Sequence, residues 1–132
     1  MKKLLLLLPI LSLLLIFQSC DEANSDTVEV ISPQHFLESL ENDEDGQVID
    51  VRTTEEFGVS HIKEAQNICV TDADFEEKIK TLDKTKPVYV YCRSGGRSAR
   101  AAKILEEKGF TKVYDLQGGI TSWDEEGLET EQ

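Results

Sequence analysis

The order of structural elements is clearest at residues 88–98, which have the sequence VYVYCRSGGRS. The first four residues are β-branched or aromatic, a composition typical of a buried strand. Cys92 ends this run, and a short loop with two glycines follows it. A segment rich in Ala, Leu, Glu and Lys then predicts a helix over residues 98–108, ended by Gly109. A strand, a tight loop and a helix in succession indicate an α/β protein.

The same alternation of strand and helix continues on both sides of this stretch. Short apolar or β-branched runs predict four more strands, over residues 27–31, 48–51, 66–70 and 113–116. Helices are predicted to start at Ser32-Pro33, at Thr53 with Glu56, at Asp72 ahead of Phe75, Ile79 and Leu82, and at Ile120. Since a hairpin cannot form through an intervening helix, the strands must pair in parallel. The sequence therefore predicts an α/β fold, with a five-stranded, largely parallel sheet flanked by helices.

Length and charge limit the classes of protein to which the chain can belong. Its 132 residues suit one domain, and they carry 14 Lys plus Arg against 26 Asp plus Glu, a net charge of -12. An acidic surface repels phosphate backbones, so we expect no nucleic-acid partner. Three cysteines and three prolines exclude a disulfide scaffold and a collagen-like chain. An anionic ligand therefore requires a local basic site.

The amino terminus has the pattern of an export signal. Lys2 and Lys3 precede an apolar run over residues 4–17, which is shorter than the roughly 20 residues of a membrane-spanning helix. Ser19-Cys20 then resembles the bacterial lipoprotein cleavage box, in which a small residue precedes a lipidated cysteine. The resemblance implies a signal peptide over residues 1–19, lipidation of Cys20 and a tether over residues 20–26. The alternative is ordinary secretory cleavage, which leaves Cys20 as an incidental thiol.

This interpretation predicts where the remaining residues act. A domain over residues 27–132 would be lipid-anchored to a bacterial membrane and would face the periplasm or the exterior. The tether is polar and contains little that could be buried, so we expect it to be flexible.

Cys92 is the candidate nucleophile. It lies at the predicted carboxyl edge of the sheet, where α/β proteins bind their ligands. A glycine-containing loop that leads into a helix directs backbone amides and the positive end of the helix dipole toward one point. Such surroundings lower a thiol pKa from about 8.5 into the range of about 3.5 to 7.5. The alternative is a buried cysteine at a strand end with no chemical role.

The arginines support an anion site next to this thiol. The chain has only Arg52, Arg93, Arg97 and Arg100, and all of them fall at the predicted carboxyl edge, whereas the lysines are scattered. Planar guanidinium groups suit multidentate recognition of an oxyanion. The candidate substrate-binding residues are Arg52 and the loop residues Arg93, Ser94, Gly95, Gly96, Arg97 and Ser98.

At this point the sequence resembles the rhodanese-like sulfurtransferases. Four separated segments carry the resemblance in the right order: Val48 to Arg52 with Glu55-Glu56-Phe57, then His61-Ile62, then Cys92 to Ser98, then Leu116 to Ile120 with Trp123. The resemblance implies a single compact α/β domain. It also implies that Cys92 accepts sulfane sulfur from a small anionic donor such as thiosulfate, forms a persulfide, and passes the sulfur to a thiol or cyanide. No cofactor is implied.

Two other functions remain open on the same fold. Related Cys-dependent phosphatases have five residues between Cys and Arg, whereas Arg97 follows Cys92 after four and Ser98 occupies the phosphatase position. The smaller loop favours sulfur over phosphate or arsenate. A binding or carrier module that holds a persulfide without turnover is the second alternative.

The remaining polar and aromatic residues have structural interpretations. Asp50 is expected to orient Arg52 or anchor a loop, and His61 to make a structural hydrogen bond. Gly118-Gly119 is expected to form a turn, and Trp123 to cover the sheet edge. Cys69 is expected to be buried, with a disulfide to Cys92 as the alternative in an oxidising compartment. His35 and His61 are isolated, so no metal site is predicted.

Overall fold

Five strands form one sheet in the computed structural model, which describes residues 25–132. The strands are β1 (Val28–Ile31), β2 (Gln47–Asp50), β3 (Gln66–Asn67), β4 (Val88–Tyr91) and β5 (Val113–Leu116). The helices are α1 (Pro33–Glu41), α2 (Thr54–Val59), α3 (Phe75–Lys78), α4 (Gly96–Glu107) and α5 (Gly119–Glu125). The strand order is β1-β5-β4-β2-β3, and each of the four pairings is parallel. The predicted α/β fold is confirmed.

Strand β4 occupies the centre of the sheet and all four of its residues are buried. Because side chains alternate along a strand, Val88 and Val90 pack against the core on the α3 and α4 face. Tyr89 and Tyr91 pack on the opposite face, with the core beneath α1 and α5. Burial on both faces explains why this strand is a continuous apolar and aromatic run.

The third strand is shorter than the prediction over residues 66–70. Only Gln66–Asn67 pair with β2, and β3 is an edge strand with this single partner. Beyond it the chain keeps two isolated bonds to the end of β2, from the Ile68 and Val70 amides to the Asp50 and Val51 carbonyls. An edge position leaves no second strand to extend the pairing.

The predicted helix between Asp72 and Leu82 is also divided. Helix α3 covers Phe75–Lys78 and continues as a 3₁₀ turn over Ile79–Thr81. Asp72 does not cap it, because the helix begins at Phe75 and Asp74 occupies the N-cap position without a side-chain capping bond. The carboxylates of Asp72 and Asp74 lie 3.6 and 3.2 Å from Lys78 Nζ. The expected apolar face is nevertheless buried, with Phe75, Ile79 and Leu82 in the core.

Helix α4 begins at Gly96, two residues before the predicted start, because Gly95 adopts a left-handed conformation with a φ of 119°. Glycine takes this conformation without the steric cost that a Cβ adds. Arg97 and Ser98 are therefore part of the first helical turn. This turn lies directly above the end of β4.

The predicted signal peptide, Cys20 and residues 21–24 of the tether lie outside the described residues. Within residues 25–132, no helix is both long enough and apolar enough to cross a bilayer.

Candidate active site

Cys92 lies at the base of the loop between β4 and α4. Cys92 is only 1 % exposed. The Gly95 amide donates a hydrogen bond to Cys92 Sγ at 3.1 Å, and Ser98 Oγ lies 3.4 Å from the same sulfur. The loop residues Arg93 and Ser94 are exposed. The sulfur is thus buried against the Gly95 amide and the Ser98 hydroxyl, while the loop residues Arg93 and Ser94 face solvent.

These donors decide the ionisation of the sulfur. Burial opposes formation of a thiolate, but hydrogen bonds from the Ser98 side chain and from the amides of Ser98, Gly95 and Ser94 outweigh it, so the pKa of Cys92 lies below its ordinary value. The sulfur also lies next to the amino terminus of the 12-residue helix α4, whose dipole favours negative charge. The loop is therefore suited to hold a nucleophilic thiolate.

The first turn of α5 forms backbone hydrogen bonds to Cys92 and to the residue after it. The Ile120 amide donates to the Cys92 carbonyl at 2.9 Å, and the Thr121 amide donates to the Arg93 carbonyl at 3.1 Å. Gly119 precedes these residues with a φ of +61°, and a Cβ there would overlap the carbonyl groups of Cys92 and Arg93. The expected Gly118-Gly119 turn is present, and its close approach to the Cys92 loop requires glycine.

Arg97 reaches across the site to helix α2. Its Nη1 and Nη2 donate to the two carboxylate oxygens of Glu56 at 2.7 and 3.0 Å. Glu56 also accepts from the Thr53 amide while Thr53 Oγ1 accepts from the Glu56 amide, as the predicted capping box requires. The hydrogen bonds from Arg97 and Thr53 outweigh burial and hold the pKa of Glu56 at about 2. The Arg97 guanidinium is therefore fixed in orientation next to the Cys92 loop.

A known protein family matches most of this chain, including the strand, the cysteine loop and the helix of the site. A family model described as "Rhodanese-like domain" matches residues 32–126. The chain belongs to the rhodanese-like domain family. Sequence relatives include a putative sulfurtransferase YtwF of Bacillus subtilis, 39% identical over 99 residues, which span 75% of this chain and 93% of that protein. The thiosulfate sulfurtransferase GlpE of Actinobacillus pleuropneumoniae is 33% identical over 107 residues, 81% of this chain and 96% of GlpE.

Solved structures give the same assignment. The rhodanese-related protein of Thermoplasma volcanium superimposes with a TM-score of 0.69 at 32% identity, over 78% of this chain and 97% of its own. A rhodanese-like domain protein of Staphylococcus aureus gives a TM-score of 0.67 at 28% identity, over 79% of this chain and 99% of its own. The resemblance found in the sequence is confirmed at the level of the family and of the fold.

Arg52 has a different environment from the one expected in a substrate-binding residue of this rhodanese-like domain. It is 5 % exposed, and its Nη2 lies 2.6 Å from Asp50 Oδ2 and 2.7 Å from the Ser60 carbonyl oxygen. Burial lowers the pKa of Arg52, and the hydrogen bond and charge of Asp50 raise it by more. Asp50 thus orients Arg52, the first of its two expected roles, and Arg52 itself makes the contact with the loop at Ser60. The structure therefore pairs Arg52 with a buried carboxylate, and its expected part in substrate binding stays a prediction.

Arg93 and Arg100 differ from the other two arginines. Both are exposed, and within residues 25–132 neither forms an ion pair or a side-chain hydrogen bond. Arg93 directly follows Cys92, and Arg100 lies one turn into α4. The four arginines share the carboxyl edge as predicted. Arg52 and Arg97 form ion pairs with carboxylates, whereas Arg93 and Arg100 face solvent.

The other structural predictions can be placed on this fold. His61 Nδ1 lies 3.1 Å from the Phe57 carbonyl oxygen, which confirms a structural contact. Trp123 is buried against Phe36 on the α1 and α5 face, in the core and not at the sheet edge. Cys69 is buried, its Sγ lies 3.1 Å from Thr71 Oγ1, and both Cys69 and Cys92 are free thiols. Among the described residues, no group of His, Cys, Asp or Glu is arranged to hold a metal.

Asp115 is a residue of this region that the sequence analysis missed. It lies on β5, is 3 % exposed, and its Oδ1 has no hydrogen-bond partner. Burial raises the pKa of Asp115 to about 6, although a hydrogen bond from Ser98 acts in the opposite direction. A charged residue within the buried run Val113 to Leu116 was the available signal.

A cavity of about 730 Å³ lies on the α1 and α5 face of the sheet, lined by Leu37, Trp123 and Leu128 among others. No residue of the Cys92 loop lines it. The candidate active site at the Cys92 loop is therefore separate from this cavity.

Proposed function

We propose that this rhodanese-like domain moves sulfane sulfur from thiosulfate, or a similar small anionic donor, to a thiol or cyanide through a persulfide on Cys92. The observation that carries the proposal is the set of hydrogen-bond donors around Cys92 Sγ, which lowers the pKa of the thiol. Relatives named as sulfurtransferases support the same reaction class.

In the first half-reaction, the Cys92 thiolate attacks the outer sulfur of thiosulfate. A new S–S bond forms at Cys92, the bond between the two sulfurs of thiosulfate breaks, and sulfite leaves with its electron pair. The negative charge passes from the Cys92 sulfur to the outer sulfur of the persulfide. In the second half-reaction an acceptor such as cyanide attacks that outer sulfur, and the Cys92 thiolate is the leaving group.

The loop amides serve both half-reactions. The donors at Ser94, Gly95 and Ser98 that stabilise the thiolate stand ready before substrate binds, so they need not reorganise as charge moves. A loop with four residues between Cys92 and Arg97 suits a sulfur atom better than a phosphate group. This spacing favours sulfur transfer over phosphatase or arsenate chemistry.

Arg93 and Arg97 are the proposed ligands of the sulfonate end of the donor. Arg93 is exposed beside Cys92, and Arg97 is half-buried and oriented by Glu56. Two guanidinium groups at the loop supply the local basic site that the acidic surface of the molecule otherwise lacks. Ser94, Gly95, Gly96 and Ser98 contribute the backbone of the same cradle.

We further propose that Cys20 is lipidated and anchors the domain to a bacterial membrane, on its periplasmic or outer side. The proposal is supported by the apolar run over residues 4–17 and by Ser19 before Cys20. Expression in a bacterial host tests it. The wild-type protein should partition with membranes and carry an added lipid mass on Cys20, and Cys20→Ala should lack that mass; a wild-type Cys20 without added lipid would contradict lipid anchoring.

The decisive experiment for sulfur transfer is intact-protein mass spectrometry after treatment with thiosulfate. One sulfur atom should be added to the wild-type protein and to Cys69→Ser, and none to Cys92→Ser. Subsequent cyanide should remove that sulfur and release thiocyanate. Loading without release to cyanide or to small thiols would instead indicate a persulfide carrier, and phosphatase activity that is lost in Cys92→Ser would contradict the proposal.

A further inference from the structure

Asp115 and Ser98 form a buried polar pair beneath helix α4. Asp115 lies on the sheet face that its strand neighbour Val113 shares with the α4 core. It is 3 % exposed and one of its carboxylate oxygens has no partner. A buried polar atom without a hydrogen bond loses its interactions with water and gains nothing in return, so such groups are rare. Ser98, which is fully buried, interacts with this carboxyl group through its side chain.

Ser98 also contacts the reactive sulfur. Its Oγ lies 3.4 Å from Cys92 Sγ and 3.2 Å from the Gly95 carbonyl oxygen. A serine hydroxyl has one proton to donate. It is directed to the Gly95 carbonyl; the other acceptors next to it are the sulfur and the Asp115 carboxyl group, whose pKa a hydrogen bond from Ser98 lowers. The Gly95 carbonyl already accepts from the Ala99 amide at 3.0 Å. The direction of one hydroxyl therefore links Asp115 to Cys92.

We propose that Asp115 is a positioning residue that acts through Ser98 on the charge of the Cys92 sulfur. This inference deepens the proposed sulfur transfer and rests on Cys92 as its nucleophile. When the carboxyl group is neutral, its O–H donates to Ser98 Oγ, and Ser98 donates its own proton toward the sulfur. When the carboxyl group is ionised, it accepts the Ser98 proton, and its negative charge faces that of the thiolate.

The surroundings of Asp115 leave few other groups to act on it. On β4 its register neighbour is Val90, and the titratable group on that face is Cys92; on β1 the register neighbour is Val30. Glu29 of β1 alternates to the other face and pairs with Lys112. On α4, Arg97 is paired with Glu56, while Arg100, Lys103 and Glu107 are exposed, and Glu106 is half-buried. Helix α1, with His35, Glu38 and Glu41, packs against the opposite face.

The pH range of the effect follows from burial. Burial raises the pKa of Asp115 to about 6, so the carboxyl group changes charge close to neutrality. Below that pH the neutral carboxyl group leaves the Ser98 proton to the sulfur, and above it the carboxylate competes for that proton.

The pH dependence of Cys92 alkylation tests the inference without any sulfur donor. Full-length protein is treated with iodoacetamide across a pH series, and the Cys92 peptide is quantified by mass spectrometry. Asp115→Asn keeps a donor for Ser98 Oγ but has no charge, so the midpoint of the profile should fall by about half to one pH unit. Glu107→Gln removes one exposed charge at the far end of α4 and should leave the midpoint unchanged.

A double-mutant comparison isolates the route through Ser98. In a Ser98→Ala background, Asp115→Asn should change the midpoint by less than half as much as in the wild-type protein. An unchanged midpoint in Asp115→Asn, or an equal shift with and without Ser98, would overturn the inference.

A second measurement applies if Asp115→Asn does not fold. Because a hydrogen bond from Ser98 lowers the pKa of Asp115, the midpoint of the Asp115 carboxyl carbon resonance should be higher in Ser98→Ala than in the wild-type protein. Identical midpoints would overturn the inference. Neither measurement depends on sulfur transfer, so a failure of thiosulfate loading would count against the proposed function alone.

Discussion

Arg97 and Glu56 form a two-point ion pair across the candidate active site, although they are 41 residues apart in the chain. The pair joins the first turn of α4 to the first turn of α2. The pair orients Arg97, one of the two arginines proposed to bind the sulfur donor. Glu56 at the same time completes the capping box of α2. The same contact therefore contributes to stability and to the geometry of the site.

Glu56→Gln should lower the free energy of unfolding at neutral pH by about 1 to 2 kcal/mol, because the ion pair is lost and the cap is weakened. The Arg97 hydrogen bond holds the pKa of Glu56 at about 2, below its unfolded value. The stabilisation is therefore present above the unfolded pKa and is lost as pH falls through the folded value. Urea unfolding at several pH values measures this effect. The adjacent variant Glu55→Gln is the control, and an equal loss in both would contradict the assignment.

Arg97→Ala should raise the KM for thiosulfate by roughly ten-fold or more, because a charge-assisted contact to the sulfonate is lost. Lys103→Ala removes an exposed positive charge farther along the same helix and should have little effect. Steady-state kinetics with thiosulfate and cyanide would measure both. Equal changes would mean that the position of the arginine has no importance for donor binding.

Arg52→Met should destabilise the fold by about 3 to 5 kcal/mol, because it leaves the buried Asp50 carboxylate without its partner. The exposed Arg100→Met is the matched control and should change stability by less than about 0.5 kcal/mol. Chemical denaturation distinguishes the buried ion pair from the substrate-binding role that the sequence suggested. A stable Arg52→Met variant with only a raised KM for thiosulfate would support the substrate-binding role.

Gly119→Ala should both destabilise the protein and reduce Cys92 reactivity, since a Cβ would overlap the carbonyl groups of Cys92 and Arg93. Gly127 has a similar φ of +71° but open space around it, so Gly127→Ala isolates the backbone strain, about 1 to 2 kcal/mol. Thermal unfolding and the alkylation rate of Cys92 provide the two measurements. Similar losses in both variants would show that the contact with the Cys92 loop is unimportant.

Asp115→Asn should stabilise the protein more at about pH 8 than at about pH 4. Burial raises the pKa of Asp115 to about 6 from an ordinary value of 3.8, so the folded wild-type protein holds this proton more tightly than the unfolded chain. Wild-type stability therefore falls as pH rises through about 6, by up to about 3 kcal/mol, and the variant lacks this loss. Urea titrations at the two pH values measure the difference, and a constant difference would contradict a buried, titrating carboxyl group.

Local patterns were sufficient to predict most of the framework. The run Val88 to Tyr91 predicts a buried central strand because composition and burial coincide over adjacent residues. The glycine loop after Cys92 predicts an amide cradle for the same reason, since the loop and the helix start are contiguous in sequence. Two element lengths differed from the prediction: the strand over residues 66–70 is shorter because it lies at the sheet edge, and the helix after Asp72 is divided into a short α-helix and a 3₁₀ turn.

The sequence by itself therefore determined the parallel α/β framework and the family, and it singled out Cys92 as the candidate nucleophile. Only the tertiary structure decided which charged groups near that cysteine are paired and which are buried. Arg52 pairs with Asp50 and Arg97 pairs with Glu56, whereas Asp115 is buried. The physical reason is the distance along the chain over which each interaction acts. Helix and strand preferences arise between neighbours along the chain, whereas ion pairing and burial depend on groups that meet only after the sheet has formed.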